Sequence, residues 1–109
     1  MEELTLKQAQ KIVDNWINQF EEGYWPPLSM LASLMEEVGE LAREINHREK
    51  FKTKKKTESK TEIGLELGDV LFSLICLANH YGVDLGAKLK EAINKYTSRD
   101  IRRWTKKAS

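Results

Sequence analysis

The sequence has a single cysteine among its 109 residues, which excludes a disulfide bond within the chain. Cys76 lies in the apolar run VLFSLICLA, where a buried, inert thiol is expected rather than a nucleophile. The length suits one compact domain and is too short for separate binding and catalytic domains. We therefore predict that residues 1–109 form a single domain without disulfide bonds.

The chain also lacks an excess of charge of either sign. Eighteen lysines and arginines against seventeen acidic residues give a formal net charge of +1, which argues against a protein that coats nucleic acid. The basic residues are nevertheless concentrated in two segments, 48–60 and 99–107. Because residues 48–60 contain few apolar side chains, we predict a mobile basic connector there.

No long hydrophobic run or secretory signal is evident. The most apolar stretch, from Val70 to Ala78, is shorter than the roughly 20 residues that span a bilayer. The first residues, MEELTLKQAQ, lack a basic flank, an apolar core and a small-residue cleavage site. We therefore expect a cytoplasmic protein with no membrane partner.

Strand-like alternation is absent, and apolar residues instead recur at helical spacing in four segments. The predicted helices run from the capping residue Thr5 to about Glu22, from about Leu28 to His47, from about Thr61 to His80 before Gly82, and from Asp84 into the basic tail. These segments predict an all-α fold with the architecture of a four-helix bundle.

The third predicted helix is apolar almost all round, a pattern typical of a helix buried among others. A chain of this length buries only a moderate share of its surface, so exposed apolar faces favour self-association. We therefore expect oligomerisation to complete the bundle.

Acidic residues interrupt the second and third helices. Helical spacing places Glu37 and Glu40 on one face of the second helix, and Glu62, Glu66 and Asp69 on one stripe of the third. Because the third helix is otherwise apolar, we predict that its three carboxylates line a buried groove. Most of these residues lack a cation three or four positions away, which disfavours a surface laced with salt bridges.

Carboxylates that face a common interior repel one another, and a hard divalent ion such as magnesium is the simplest partner for them. Four carboxylates leave room for more than one ion around a polyphosphate. Gly39 and Gly68 lie within the same helices, where glycine is costly, and they indicate close approach of a helix, a metal or a substrate.

Two motifs, EEVGEL at residues 36–41 and ELGDVLF at residues 66–72, resemble the E-E-x-x-E…E-x-x-D signature of MazG-like nucleotide pyrophosphohydrolases. The resemblance implies an all-α, homodimeric or homotetrameric, magnesium-dependent enzyme in which manganese can substitute. Such an enzyme cleaves nucleoside triphosphates between the α and β phosphates, giving monophosphate and pyrophosphate, and its implied role is to clean the nucleotide pool.

Carried over by motif position, the resemblance implies that the metal ligands are Glu37, Glu40, Glu66 and Asp69. It also implies catalytic roles for Glu36 and Glu37, with Glu36 orienting water or a second ion.

The same resemblance suggests that Asn94 and Lys95 contact phosphate or sugar, although a solvated helix face explains them equally well. Trp16 and Trp25 are candidates to stack on a base, as are the neighbouring aromatics Phe20 and Tyr24, although aromatic residues at helical spacing are more often part of a core.

Two alternatives remain open at this point. A di-iron carboxylate bundle needs two Glu-x-x-His motifs, and Glu44 with His47 supplies one, whereas Leu77 stands where the second would need a glutamate before His80. A helical interaction module with an acidic groove could bind a basic partner. That module predicts carboxylates that are exposed.

Overall fold

The computed structural model of the chain describes residues 3–49 and 62–108 and contains four α-helices, with no strand among those residues. Helix α1 spans Leu6–Asn18. Its start confirms the predicted capping box, because Gln8 donates its main-chain N–H to Thr5 Oγ1 at 3.0 Å and Thr5 donates its own N–H to Gln8 Oε1 at 2.8 Å.

Helix α1 ends at Asn18, earlier than the predicted end near Glu22. The chain tightens there into three-residue turns, in which Phe20 N–H donates to Ile17 O and Gly23 N–H donates to Phe20 O. Gly23 then adopts a φ of +60°, a left-handed conformation that favours glycine. The loop that follows carries Tyr24 and Trp25 to the start of the next helix.

Helix α2 spans Pro27–Arg48, close to the predicted range. Proline suits the first helical position because its missing N–H would have no partner there. The predicted basic connector 48–60 overlaps the end of this helix at Arg48, and from residue 50 onward it lies outside the described residues.

Helix α3 spans Ile63–His80 and ends in a Schellman motif, as the position of Gly82 predicted. Val83 donates its N–H to Ala78 O at 2.8 Å, and Gly82, with a φ of +65°, donates to Asn79 O at 3.1 Å. Helix α4 spans Leu85–Asp100 and is capped by Asp84, which accepts from Ala87 N–H. Only a short turn therefore separates α3 from α4.

Helices α2 and α3 form the most extensive helix pair, α1 packs on α3, and α4 makes its main contacts with α1. The buried core joins the first three helices and consists of Val13, Met30, Ile75 and Cys76. Cys76 is a buried free thiol, as predicted from its apolar surroundings. The all-α prediction is confirmed.

The prediction that α3 is buried among other helices holds within the single chain only on the side that faces α1 and α2. Its leucines Leu65, Leu67, Leu71 and Leu74 are exposed by 63%, 52%, 44% and 41%. The physical reason is that α1 and α2 cover only part of the helix circumference, while α4 packs elsewhere.

By length and composition, α3 is also the one helix among the described residues that could cross a membrane. This is weak support for a membrane span, because the core helix of a water-soluble protein passes the same test. Two acidic residues, Glu66 and Asp69, lie within it.

Candidate active site

Carboxylates from α2 and α3 come together where the two helices pack. One carboxylate oxygen from each of Glu37, Glu40 and Glu66 lies within 4.8 Å of the other two. Residues three apart are neighbours on a helix surface, so α2 presents Glu37 and Glu40 side by side, and α3 contributes Glu66. This three-carboxylate cluster is the centre of the candidate site.

Two oxygens of the cluster are buried without a hydrogen-bond partner among the described residues, namely Oε2 of Glu37 and Oε2 of Glu66. Glu66 as a whole is only 5% exposed. An unpaired buried polar group costs about 1–3 kcal/mol, and more when it is charged. Because magnesium takes oxygen ligands and often binds through carboxylates, a cation of this type fits the donor set.

Burial and like charges raise the pKa of Glu37 above its ordinary value. Desolvation is the largest cause, followed by the negative charges of Glu40, Asp69, Glu66 and Glu36. The other four acidic residues of the two sequence motifs therefore lie close enough to act on the Glu37 carboxylate. Any cation bound among them would oppose this repulsion.

The acidic residues differ in burial. The prediction that Glu62, Glu66 and Asp69 line a buried groove is wrong in part, because Glu62 and Asp69 are exposed and only Glu66 is buried. Glu62 precedes the first residue of α3, and its side chain makes no capping hydrogen bond. On α2, Glu36 and Glu40 are exposed and Glu37 is half-buried. The buried oxygens of Glu37 and Glu66 disfavour an interaction module, which predicts carboxylates that are exposed.

A cavity of about 520 Å³ adjoins the three-carboxylate cluster. Glu37 and Asp69, on the side of the cluster, form its acidic edge, and a third acidic residue, Glu22, lines it from the α1–α2 loop. Five aromatic residues from α1, the α1–α2 loop and α3 also line the cavity, namely Trp16, Phe20, Tyr24, Trp25 and Phe72. The site therefore combines an acidic edge with an apolar chamber.

Aromatic edge-to-face contacts hold one wall of the cavity. The Trp16 ring lies 5.3 Å from Phe20 and 5.9 Å from Phe72, centroid to centroid, in T-shaped arrangements. Such pairs contribute about 0.5–1.5 kcal/mol beyond the area they bury. Trp16 is nevertheless 52% exposed, and Trp25 is 60% exposed, so both rings keep surface available to a ligand.

The residues predicted to contact substrate separate into two groups. Trp16 and Trp25 line the cavity. Asn94 and Lys95 lie on α4 and do not line the cavity, and the Lys95 ammonium lies 4.7 Å from the centre of the Tyr96 ring. The substrate contacts of all four residues remain predictions.

Phe72 and Ser33 also line the cavity, although neither was among the residues predicted for the site. The signal was available in the helical period, because Phe72 lies three residues after Asp69 and Ser33 lies four residues before Glu37. Side chains at these spacings share a helix face with the motif carboxylates.

The Glu-x-x-His pair of α2 is not part of the metal-ligand group found among residues 3–49 and 62–108. Glu44 is buried and His47 is half-buried, one and two helical turns beyond Glu40. The clustered ligands are therefore those of the two acidic motifs.

Comparisons with known proteins agree with this arrangement. The sequence model of the family described as the MazG nucleotide pyrophosphohydrolase domain matches residues 26–104. The YpjD protein of Bacillus subtilis (strain 168) is 49% identical over 107 residues, which cover 98% of this chain and 96% of YpjD.

Two solved structures are similar in both sequence and fold. A crystal structure of YpjD from Bacillus subtilis matches with 48% identity and a TM-score of 0.78, covering 88% of this chain and 98% of the other. The crystal structure of the Bacillus-conserved MazG protein, a nucleotide pyrophosphohydrolase, matches with 47% identity and a TM-score of 0.73, covering 88% and 92%. The chain therefore belongs to the MazG nucleotide pyrophosphohydrolase family and is an enzyme of the hydrolase class.

Proposed function

We propose that this chain hydrolyses nucleoside triphosphates, in the ribose or deoxyribose series, between the α and β phosphates, and that it cleans the cytoplasmic nucleotide pool. The observation that supports this most is the cavity of about 520 Å³, whose aromatic chamber opens on the acidic edge formed by Glu37 and Asp69. A base can stack on aromatic side chains. A triphosphate needs cations, which the carboxylates can hold.

In this proposal, Glu37, Glu40, Glu66 and Asp69 hold Mg²⁺, for which Mn²⁺ can substitute. The two buried oxygens without hydrogen-bond partners, on Glu37 and Glu66, support a cation between α2 and α3. When bound, the ion supplies positive charge that neutralises the triphosphate and orients it for an in-line displacement. The number of carboxylates supports room for more than one ion.

The carboxylates of Glu36 and Glu37 are the proposed catalytic groups. In the proposed step, a water oxygen forms a bond to the α-phosphorus while the bond from that phosphorus to the bridging oxygen breaks, and pyrophosphate leaves. Glu36 is exposed beside the cluster and is suited to orient the water and accept its proton. No covalent intermediate with the protein is required.

Trp16 and Trp25 are the proposed base contacts, since both line the cavity. Asn94 and Lys95 are the proposed phosphate or sugar contacts. In a homodimer or homotetramer, these α4 residues would reach the site from a neighbouring copy. We further propose that residues 1–109 form one domain, without membrane or nucleic-acid partners.

The test is to incubate the protein with magnesium and a panel of ordinary and modified nucleoside triphosphates, and to separate the products by chromatography. We expect monophosphate and pyrophosphate, with activity reduced by at least about a hundredfold in Glu37→Gln, because this change removes a ligand and a charge from the site. Glu3→Gln, an exposed position before α1, is the matched control and should retain activity. No turnover across the panel, despite measured magnesium binding, would refute the proposal.

A further inference from the structure

A hydrogen-bonded network joins α1, the α1–α2 loop and the end of α3. We call it the Asn79 clasp and define it as Gln10, Asp14, Tyr24 and Asn79. Tyr24 donates its phenolic O–H to Asp14 Oδ1 at 2.6 Å, and Asn79 donates Nδ2–H to Tyr24 Oη at 3.1 Å. Asn79 also donates to Gln10 O at 2.9 Å. The loop that carries Tyr24 is therefore tied to two helices at once.

The nitrogen of each clasp amide donates two hydrogen bonds, and the oxygen of each accepts one. Gln10 Nε2 donates to Asn79 Oδ1 at 3.0 Å and to Val83 O at 2.8 Å, and Gln10 Oε1 accepts from Leu85 N–H at 3.0 Å. Both Nδ2 hydrogens of Asn79 are also engaged. Rotating the side-chain amide of Gln10 or Asn79 by 180° would therefore break several hydrogen bonds. A network satisfied in this way restrains the elements that it joins.

The clasp lies just outside the cavity and touches it through one residue. Tyr24 lines the cavity together with its neighbours Gly23 and Trp25, whereas Asp14 and Asn79 do not line it. Asn79 is two helical turns beyond Phe72, which places both on one face of α3. The clasp therefore joins the loop wall, residues 22–25, to the helix that carries Phe72.

The phenol of Tyr24 is suited to a structural role of this kind. Its burial, and next its hydrogen bond to Asp14, raise its pKa to about 12. The group therefore stays protonated and continues to donate its hydrogen bond at any physiological pH.

We propose that the Asn79 clasp positions the loop wall for the nucleobase, so that Asp14 and Asn79 determine nucleotide affinity without touching the nucleotide. This inference rests on the proposed function. Stacking depends on the position of the aromatic rings. In the proposed function the phosphates lie instead at the acidic edge formed by Glu37 and Asp69, where magnesium would offset the negative charges. Because Asp14 and Asn79 do not line the cavity, they cannot contact the base directly. Loosening the clasp should therefore weaken the binding of nucleotides with different bases to a similar extent.

The experiment uses the full chain and two binding probes with magnesium. One probe is a set of nucleoside triphosphate analogues with a methylene group between the α and β phosphorus, which cannot be cleaved there. The other is inorganic triphosphate, which has no base. The variants are Asp14→Ala, which removes the acceptor of the Tyr24 hydrogen bond, and Asp14→Asn, which keeps an acceptor oxygen. Tyr24→Phe breaks the same link from the other side and replaces Asp14→Ala if that variant does not fold.

We expect Asp14→Ala and Tyr24→Phe to weaken analogue binding by about five- to tenfold, the range expected for one lost hydrogen bond, with a similar factor for each base. Asp14→Asn should restore affinity, and inorganic triphosphate should bind all variants equally. In turnover, Asp14→Ala should raise KM and leave kcat near the value of the parent chain. Ile75→Val, a buried core change outside the clasp, is the control for a general loss of stability.

Unchanged analogue affinity in the clasp variants would overturn the proposal, as would an equal loss for inorganic triphosphate. The two proposals fail in different ways. A parent chain that binds the analogues but cleaves no nucleotide refutes the proposed function, while the affinity comparison still decides the role of the clasp. A parent chain that binds no analogue refutes both.

Discussion

Glu37 has a buried carboxylate oxygen that no described residue hydrogen-bonds, and four other acidic side chains act on it. Its pKa is raised above the ordinary value of 4.5, mainly by desolvation. A carboxyl group with a raised folded-state pKa stabilises the protein fully below its unfolded-state pKa. That contribution is lost as the pH rises through the folded-state pKa. The metal-free protein should therefore lose stability above pH 4.5 because of this residue.

Glu37→Gln should consequently stabilise the metal-free protein at neutral pH, by about 0.2–0.5 kcal/mol for each like-charged neighbour that it relieves. The measurement is thermal unfolding in the presence of a chelator, at acidic and neutral pH. The difference in stability between Glu37→Gln and the parent chain should shrink at acidic pH, where Glu37 of the parent chain is protonated.

Added magnesium should reverse the order of stability. At a hundred times the dissociation constant, a bound ion stabilises the parent chain by about 2.7 kcal/mol, and Glu37→Gln should gain much less. Glu3→Gln should follow the parent chain under all conditions. If the metal-free Glu37→Gln protein were less stable than the parent, Glu37 would have a structural role instead.

Helix α3 has one glycine at its end, Gly82, and one in its interior, Gly68, so the effects of the two on stability can be compared directly. Gly82 has a φ of +65° at the end of α3, and no atom lies within 4 Å of a Cβ built there. Gly82→Ala should therefore cost about 1–2 kcal/mol for conformational reasons alone, because space is available and only the backbone is strained.

Gly68→Ala is the matched control on the same helix, since it also has open space around its Cβ and lies at a helical position. It should stabilise the protein by about 0.5–1 kcal/mol, opposite in sign to Gly82→Ala. Chemical denaturation measures both. Equal effects of the two substitutions would contradict the assignment of Gly82 as a left-handed cap.

The same open space corrects an inference from the sequence about Gly39 and Gly68. The sequence suggested that another helix approaches closely at these glycines. Within the described residues this inference is wrong, because no atom lies within 4 Å of a Cβ built at either position. Approach by a metal, a substrate or another copy of the chain remains a prediction.

The whole chain leaves much apolar surface uncovered. Besides the α3 leucines, α4 exposes Leu89, Ile93 and Tyr96 by 51%, 54% and 49%, at the spacing of one helical stripe. The radius of gyration is 17.6 Å, against about 13 Å for a compact chain of this length. These features favour burial of the stripe formed by Leu89, Ile93 and Tyr96 against another copy of the chain.

We predict that light scattering gives the mass of a dimer or tetramer, and that Leu89→Lys combined with Ile93→Lys shifts it toward the monomer, because burying the new charges would be costly. Lys88→Ala, on the polar side of α4, is the control and should leave the mass unchanged. A monomeric parent chain at all concentrations would refute the proposed oligomer.

Local patterns in the sequence were enough for the helices and for most of their ends. Thr5 with Gln8, Pro27 and Gly82 act through contacts within a few residues, so the ends that they specify were predictable without a tertiary structure. The end of α1 was less accurate, because the turns at residues 19–22 carry no proline or glycine before Gly23. The helical spacing of the acidic motifs also placed their carboxylates on shared helix faces.

The sequence by itself therefore determined the all-α fold, the helix caps and the acidic motifs, since each depends on residues close together along the chain. Only the tertiary structure decided which carboxylates are buried, that Phe72 and Tyr24 enclose the cavity with Trp16, and that Asn79 ties the loop to α3. It also showed that α3 is only partly covered by its own chain. These features depend on the packing of helices distant in sequence, and the helical period specifies which face is apolar but not which neighbour covers it.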